Sequence, residues 1–196
     1  MENRKFIKFI IPVFILGFFV VQINGVFAYK INTHAFLTNE IIKFYNQNFS
    51  NNKISDELKD YLIDGSRRED DAPRWMNHFY DPIYDRGLTN NLTSWQKSKE
   101  WAQDSNNQNK LTYKVPATIA SILTAIQQKK ISALTTETDF TWQRAIRFYI
   151  NGDEEKAMFI LGHILHLIED KTMPAHTRND PHPDGGPYED WTKKFT

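Results

Sequence analysis

The sequence contains no cysteine among its 196 residues, so it has neither disulfides nor thiolate ligands for a metal ion. It also lacks an excess of either charge, since 24 basic residues balance 24 acidic ones. Proteins that bind nucleic acid usually carry a basic excess, and we therefore expect no stable nucleic-acid partner. Any metal ion in this protein must be bound by histidine, aspartate and glutamate.

The first 28 residues have the pattern of a secretory signal peptide. A basic start precedes an apolar run, and Val26 and Ala28 occupy the two positions that a signal peptidase recognises. An uncleaved membrane anchor is the alternative, but the run is short for a membrane span and contains Pro12. The sequence thus predicts a signal peptide at 1–28 and a secreted mature chain that begins at Tyr29.

The mature chain is predicted to be all-α, because no segment convincingly alternates polar and apolar residues as a strand does. Ser55 and Asp153 are suited to cap helices, and Asp64-Gly65-Ser66 and Asn151-Gly152 are suited to end them. We expect helices at about 34–44, 55–63 and 153–173. Three more are expected from Thr93 or Ser94 to 102, from Pro116 onward, and from Thr138 or Asp139 to 150. A polar loop is expected at 104–110.

Most of the six histidines lie beside carboxylates. His166 and Asp170 are four residues apart on the last and most apolar predicted helix, so their side chains project from one face and can bind one ion. His176 follows the proline that ends this helix and can turn back toward the same region. A lone buried histidine is more often a core residue, but two donors at helical spacing with a third behind them favour a metal site.

Three separated motifs resemble the bacterial zinc-dependent phospholipase C family, which is related to the P1/S1-type nucleases. They are GSRRED (65–70), NHFYDP (77–82) and FILGHILHLIEDKTMPAH (159–176), in the family's order. The resemblance extends from Tyr29 to about Trp191 and implies a helical bundle of the phospholipase C/P1 nuclease type. The phospholipases continue further, so we expect 29–196 to be either a fragment or a shortened member.

Carried over residue by residue, the resemblance implies up to three zinc ions. The first would be bound by Asp70, His78, His166 and Asp170. The second would share Asp170 and be bound by His34 and by the α-amine and carbonyl of Tyr29, once cleavage has made Tyr29 the first residue. Tyr29 lies five residues before His34, as the P1-type nucleases space their first residue and first histidine, which supports the cleavage site.

The third zinc would be bound by His176, His182 and Glu189, and this is the weakest match. The phospholipases place their last histidine and glutamate one helical turn apart, whereas a looped segment separates His182 from Glu189 here. Asp180 and Asp184 are competing ligands.

The resemblance implies hydrolysis of a phosphodiester by a metal-activated water, with the phosphate–glycerol bond of a phospholipid as the expected target. Asp70 would orient or deprotonate the water, and Asp71 is the alternative to Asp70 as a ligand. Trp75 lies three residues before His78, where the family has an aromatic residue that lines the choline pocket. The expected partners are a phospholipid or another phosphodiester and, transiently, a membrane surface.

Two other functions remain open at this point. A nuclease acting on single-stranded nucleic acid could use the same metal ligands, and a secreted helical protein could keep zinc for stability alone. His163 and Glu169 lie on the same helix as His166, and we predict them to be supporting or surface residues.

Overall fold

The computed structural model describes residues 29, 31–71, 74–89, 94–114, 138–181 and 186–195. Within these ranges the chain is mostly helical and has no β-strand, which confirms the all-α prediction. None of the helices in these ranges has the length and apolar character needed to cross a membrane. The predicted signal peptide, the helix predicted from Pro116 and the predicted ligand His182 lie outside the described residues.

The described chain forms seven α-helices, with single turns of 3₁₀ helix between or after them. The α-helices are α1 (Ile31–Asn48), α2 (Asp56–Arg68), α3 (Ser98–Trp101), α4 (Ser105–Lys114), α5 (Trp142–Ile150), α6 (Glu154–Glu169) and α7 (Pro187–Thr192). The 3₁₀ turns are Arg74–Asn77, Asp170–Thr172 and Lys193–Phe195.

The predicted caps of α2 and α6 are confirmed. The backbone N–H of Leu58 donates to Ser55 Oγ at 3.2 Å, and that of Lys156 donates to Asp153 Oδ1 at 3.3 Å. Each bond satisfies an amide that a helix N-terminus otherwise leaves without an intrahelical partner. α6 ends at Glu169 and one 3₁₀ turn follows it, so no helix continues into Pro174.

The predicted end of α2 at Asp64-Gly65-Ser66 is wrong, because the helix continues to Arg68. Gly65 serves close packing here rather than a helix end. A Cβ atom on Gly65 would lie 1.9 Å from the carbonyl oxygen of Phe159 in α6, and one on Gly162 would lie 2.2 Å from the carbonyl oxygen of Leu62. The two glycines therefore let the backbones of α2 and α6 touch.

The segment 104–110, predicted as a loop, is helical from Ser105 onward. The backbone N–H of Asn107 donates to Asp104 Oδ1 at 3.0 Å, which gives α4 its cap. Gln108 is fully buried, and its side-chain amide donates to the carbonyl of Trp101 at 2.7 Å. Hydrogen bonds at Asp104 and Gln108 therefore anchor the beginning of this polar helix.

Two other predicted helix starts lie several residues too early. α3 begins at Ser98 rather than at Thr93 or Ser94, because Ser94 pairs with Thr89 in an isolated β-bridge. α5 begins at Trp142, after a turn in which Asp139 Oδ1 accepts from the backbone N–H two residues later at 3.2 Å.

Helix α6 is the centre of the described fold and contacts α1, α2 and α5. On its α5 side, Ile160 packs with Phe140 and Ala145 in a buried apolar cluster. On its α2 side, the close approach at Gly65 and Gly162 leaves no room for side chains between the two backbones. α6 is thus buried on several faces, as its largely apolar sequence predicts.

Gly162→Ala should destabilise the protein by about 3 kcal/mol, the upper end of the usual cost of overpacking, because the new methyl group meets backbone atoms that cannot rotate away. The measurement is the free energy of unfolding by chemical denaturation. Gly186→Ala is the matched control, since a Cβ atom at Gly186 meets nothing within 4 Å. Equal stability of the two variants would contradict the packing described for Gly162.

Candidate metal centre

Six predicted ligands converge beside the C-terminal half of α6. We call them the donor cluster, and each of its members is at most 3% exposed. They come from α1, from the residue pair after α2, from the loop after the first 3₁₀ turn, and from α6 and the turns that follow it. The donor cluster consists of His34, Asp70, His78, His166, Asp170 and His176.

The donor cluster contains three overlapping groups whose ligand atoms lie within 4.8 Å of one another. Neighbouring groups share members, as they would if neighbouring ions had ligands in common. The groups are His34 with His166 and Asp170, Asp70 with His78 and His166, and His78 with Asp170 and His176.

His166 is oriented by α2. Its Nδ1 lies 2.7 Å from the carbonyl oxygen of Ser66, a distance that requires a proton on Nδ1. Nε2 therefore faces the cluster, 3.5 Å from Asp70 Oδ1 and 3.4 Å from Asp170 Oδ2. The close packing of α2 on α6 brings this carbonyl within reach, so the glycine contact helps to fix a predicted ligand.

His78 is oriented in the same way by the backbone next to Asp70. Its Nε2 lies 3.2 Å from the carbonyl oxygen of Glu69, while its Nδ1 faces Asp170 Oδ2 at 2.9 Å. The half-buried Lys171 donates from its ammonium to the carbonyl of His78 itself. Burial lowers the pKa of Lys171 to about 8. The loop that carries His78 is thus attached to both α2 and the turn after α6.

His34 completes the group on the α1 side. Its Nε2 lies 3.5 Å from Asp170 Oδ1, and its ring stacks on that of His166 with centroids 3.6 Å apart. Its Nδ1 lies 2.7 Å from Glu169 Oε2. In all three histidines one nitrogen contacts an oxygen outside the cluster and the other faces Asp170, and in His78 and His166 that nitrogen also faces Asp70.

The residues present fit a divalent cation. None of the four carboxylate oxygens of Asp70 and Asp170 makes a well-directed hydrogen bond with the described residues, although all are buried. The 2.9 Å approach of His78 Nδ1 to Asp170 Oδ2 is close but poorly directed. Buried carboxylates require compensating positive charge, which comes either from protons on the imidazoles or from a bound cation. Buried His and Asp groups of this kind could hold a metal ion.

The pKa values show how strongly these groups interact in the metal-free protein. Burial raises the pKa of Asp70 to about 7, against the attraction of His166 and His78. Burial alone would lower the pKa of His166, but the charges of Asp70 and Asp170 raise it to about 10. The pKa of Asp170 stays well below its usual range despite burial, because His176, His166 and His78 surround it.

His176 and Glu189, both predicted to bind the third zinc ion, do not belong to one donor group. His176 Nδ1 lies 3.4 Å from Asp170 Oδ2, so His176 joins the donor cluster. Glu189 is buried in α7 and accepts from the backbone N–H of Gly186 at 3.1 Å, and it belongs to none of the three donor groups. Asp180 is exposed.

Tyr29 lies against the α1 side of the donor cluster. Its ring meets the edge of His34 with centroids 5.5 Å apart, and its hydroxyl lies 2.9 Å from Thr172 Oγ1. Burial raises the pKa of Tyr29 to about 12. The predicted first residue of the mature chain is therefore next to the histidine with which it was expected to share an ion.

The other predicted site residues are placed as follows. Asp70 is buried in the cluster and Asp71 is exposed, which favours Asp70 of the two candidate ligands. Trp75 is half-buried and packs against Phe79 and Leu88. Its contacts are apolar neighbours in the loop that carries His78.

Glu69 supports the cluster, and the sequence reasoning missed it. Its carboxylate is fully buried and accepts from Arg74 Nε at 2.7 Å and from Trp101 Nε1 at 2.9 Å. His163 Nδ1 lies 2.6 Å from Glu69 Oε2, so His163 is buried beside Glu69 and is not a surface residue. Burial alone would raise the pKa of Glu69, but Arg74 and His163 hold it well below its usual range. Its only sequence signal is its place beside Asp70.

Zn²⁺ binding at neutral pH should release protons. In the metal-free protein His166, with a pKa of about 10, is protonated at pH 7, and Asp70, with a pKa of about 7, is half protonated. Ligands must lose these protons, so affinity should rise about tenfold per pH unit for each proton released. Calorimetric titration in two buffers of different ionisation enthalpy measures this release. Identical heats in both buffers would exclude proton-coupled binding.

No family model, no curated protein and no solved structure matches this chain. Its function must therefore be inferred from the donor cluster itself.

Proposed function

We propose that this protein is a secreted zinc-dependent phosphodiesterase that resembles phospholipase C in fold and activity. One observation carries the proposal. Two of the donor groups share His166, and Asp170 belongs to two groups, so imidazole and carboxylate ligands are arranged for neighbouring ions. A ligand set of nitrogen and oxygen without sulfur suits zinc and hydrolysis rather than redox chemistry.

The residues have separate tasks in this proposal. His34, His78, His166 and His176 would hold zinc together with Asp170 and Asp70. When bound, zinc would supply Lewis-acid activation of a water molecule and of a phosphate oxygen. Asp70 would also orient the attacking water or accept its proton, because its buried carboxylate belongs to the donor group with His78 and His166.

A phospholipid is the preferred substrate class. The chain carries 24 basic and 24 acidic residues, whereas proteins that bind nucleic acid usually carry a basic excess. The resemblance around His78 is to the phospholipases, and Trp75 provides an aromatic side chain near it in sequence. Cleavage would give diacylglycerol and a phosphorylated head group.

The decisive experiment uses the chain from Tyr29 onward. Bound zinc is counted, and hydrolysis of phosphatidylcholine is compared with hydrolysis of single-stranded DNA. We expect bound zinc and cleavage of the lipid. Cleavage of DNA but not of lipid would replace the proposed substrate, and a folded protein that binds no zinc would refute the proposal.

Two neighbouring aspartates provide matched variants. Asp70→Asn should lower zinc occupancy and reduce hydrolysis at least about 100-fold, because it removes a buried ligand charge and the proposed base. Asp71→Asn should keep both, because Asp71 is exposed and outside the donor groups. Equal loss in the two variants would contradict the role given to Asp70.

A second candidate function rests on the burial of the ligands. Structural zinc sites have all four coordination positions filled by the protein, whereas catalytic sites keep one open. All members of the donor cluster are at most 3% exposed, which favours zinc held for stability. A protein that binds zinc, melts at a lower temperature without it and hydrolyses neither substrate would support this candidate.

The chain terminus offers a separate prediction. A protein that begins at Tyr29 should bind one zinc ion more than a protein with one added residue before Tyr29, because the addition converts the α-amine into an amide nitrogen that cannot bind zinc at neutral pH. Mass spectrometry under native conditions counts the ions. An unchanged count would show that the α-amine of Tyr29 is not a ligand.

A further inference from the structure

Glu169 makes two buried contacts that point to a specific role. It is the last residue of α6 and is 4% exposed. Its Oε2 lies 2.7 Å from His34 Nδ1, and its Oε1 accepts from the hydroxyl of Thr38 at 2.8 Å. His34 and Thr38 are one turn apart on α1, so a single helix face binds both carboxylate oxygens.

The contact with Nδ1 decides which nitrogen of His34 carries the proton. An ionised carboxylate only accepts hydrogen bonds, so with Glu169 ionised the 2.7 Å contact places a proton on Nδ1. In the neutral ring Nε2 then has a free lone pair, and this atom faces Asp170 Oδ1 at 3.5 Å. The opposite tautomer would place a proton between Nε2 and Asp170 and would leave Nδ1 without a proton to donate to Glu169.

The orientation of the ring is fixed from two other directions. The ring of His166 stacks on His34 at 3.6 Å between centroids, and the ring of Tyr29 meets its edge at 5.5 Å. The hydroxyl of Thr38 satisfies the other oxygen of the same carboxylate. Glu169 therefore holds His34 through a built arrangement rather than through one contact.

We propose that Glu169 is a positioning residue that keeps His34 in the Nδ1-protonated tautomer, with Nε2 available as a metal ligand. The first part of this inference, the tautomer of His34, concerns the protein without metal. The second part, the role of Nε2 as a ligand, rests on the proposed metal-binding function. Outer carboxylates that orient a ligating histidine typically affect metal affinity 10–100-fold.

The tautomer of His34 is measured first, by nitrogen-15 NMR of the chain from Tyr29 without metal. We expect a protonated Nδ1 and an unprotonated Nε2. In Glu169→Gln the neutral side chain accepts more weakly, and its amide can present a donor to Nδ1, so the Nε2-protonated form should increase. A wild-type His34 with its proton on Nε2 would overturn the proposal, even if the variant failed to fold.

Thr38→Val is the matched control, because it removes the other hydrogen bond of the same carboxylate and leaves the contact with His34. Competitive titration with Zn²⁺ should show one site weakened about 10–100-fold in Glu169→Gln and much less weakened in Thr38→Val. Equal weakening in both variants, or unchanged Zn²⁺ affinity in Glu169→Gln, would overturn the positioning role.

These outcomes are distinct from those that test the proposed function. A wild-type protein that binds no Zn²⁺ would refute the proposed zinc phosphodiesterase. The measured tautomer of His34 and its dependence on Glu169 would still decide whether Glu169 sets that tautomer. A protein that binds Zn²⁺ without hydrolysing either substrate would leave both readouts of Glu169 intact.

Discussion

The need to compensate buried negative charge dominates this structure. Asp70 and Asp170 lie together where solvent does not reach, and Asp170 has histidines on several sides. Carboxylates in such surroundings are stable only with positive charge close by. The fold meets this need by bringing α1, α2, the loop after the first 3₁₀ turn and α6 to one point, which is where the chain presents its imidazoles.

The oxygen atoms that orient the histidine ligands belong to residues outside the donor cluster. Ser66 and Glu69 contact His166 and His78 through their backbone carbonyls, and Glu169 contacts His34 through its carboxylate. These oxygens determine which nitrogen of each ring faces the aspartates. The packing of α2 on α6 therefore has a chemical role as well as a structural one, because it places one of these carbonyls.

Sequence reasoning predicted the features that depend on local spacing or on a recognisable motif. The separation of His166 and Asp170 and the cap at Asp153 follow from helical geometry alone. Features that depend on distant polar partners were missed, such as the hydrogen bonds of Glu69 with Trp101 and of Gln108 with Phe140. Such pairs leave no periodic signal, since the partners lie on different segments and their hydrogen bonds exist only after folding.

The complete burial of the donor cluster has a kinetic consequence. An ion bound among His34, His166 and Asp170 has no direct route to solvent, because each of these side chains is 0% exposed. Exchange then requires a transient local opening around the cluster, and openings of this kind occur at rates set by regional stability. The residence time of an ion would therefore depend on how often this region opens as well as on the strength of the ion's bonds.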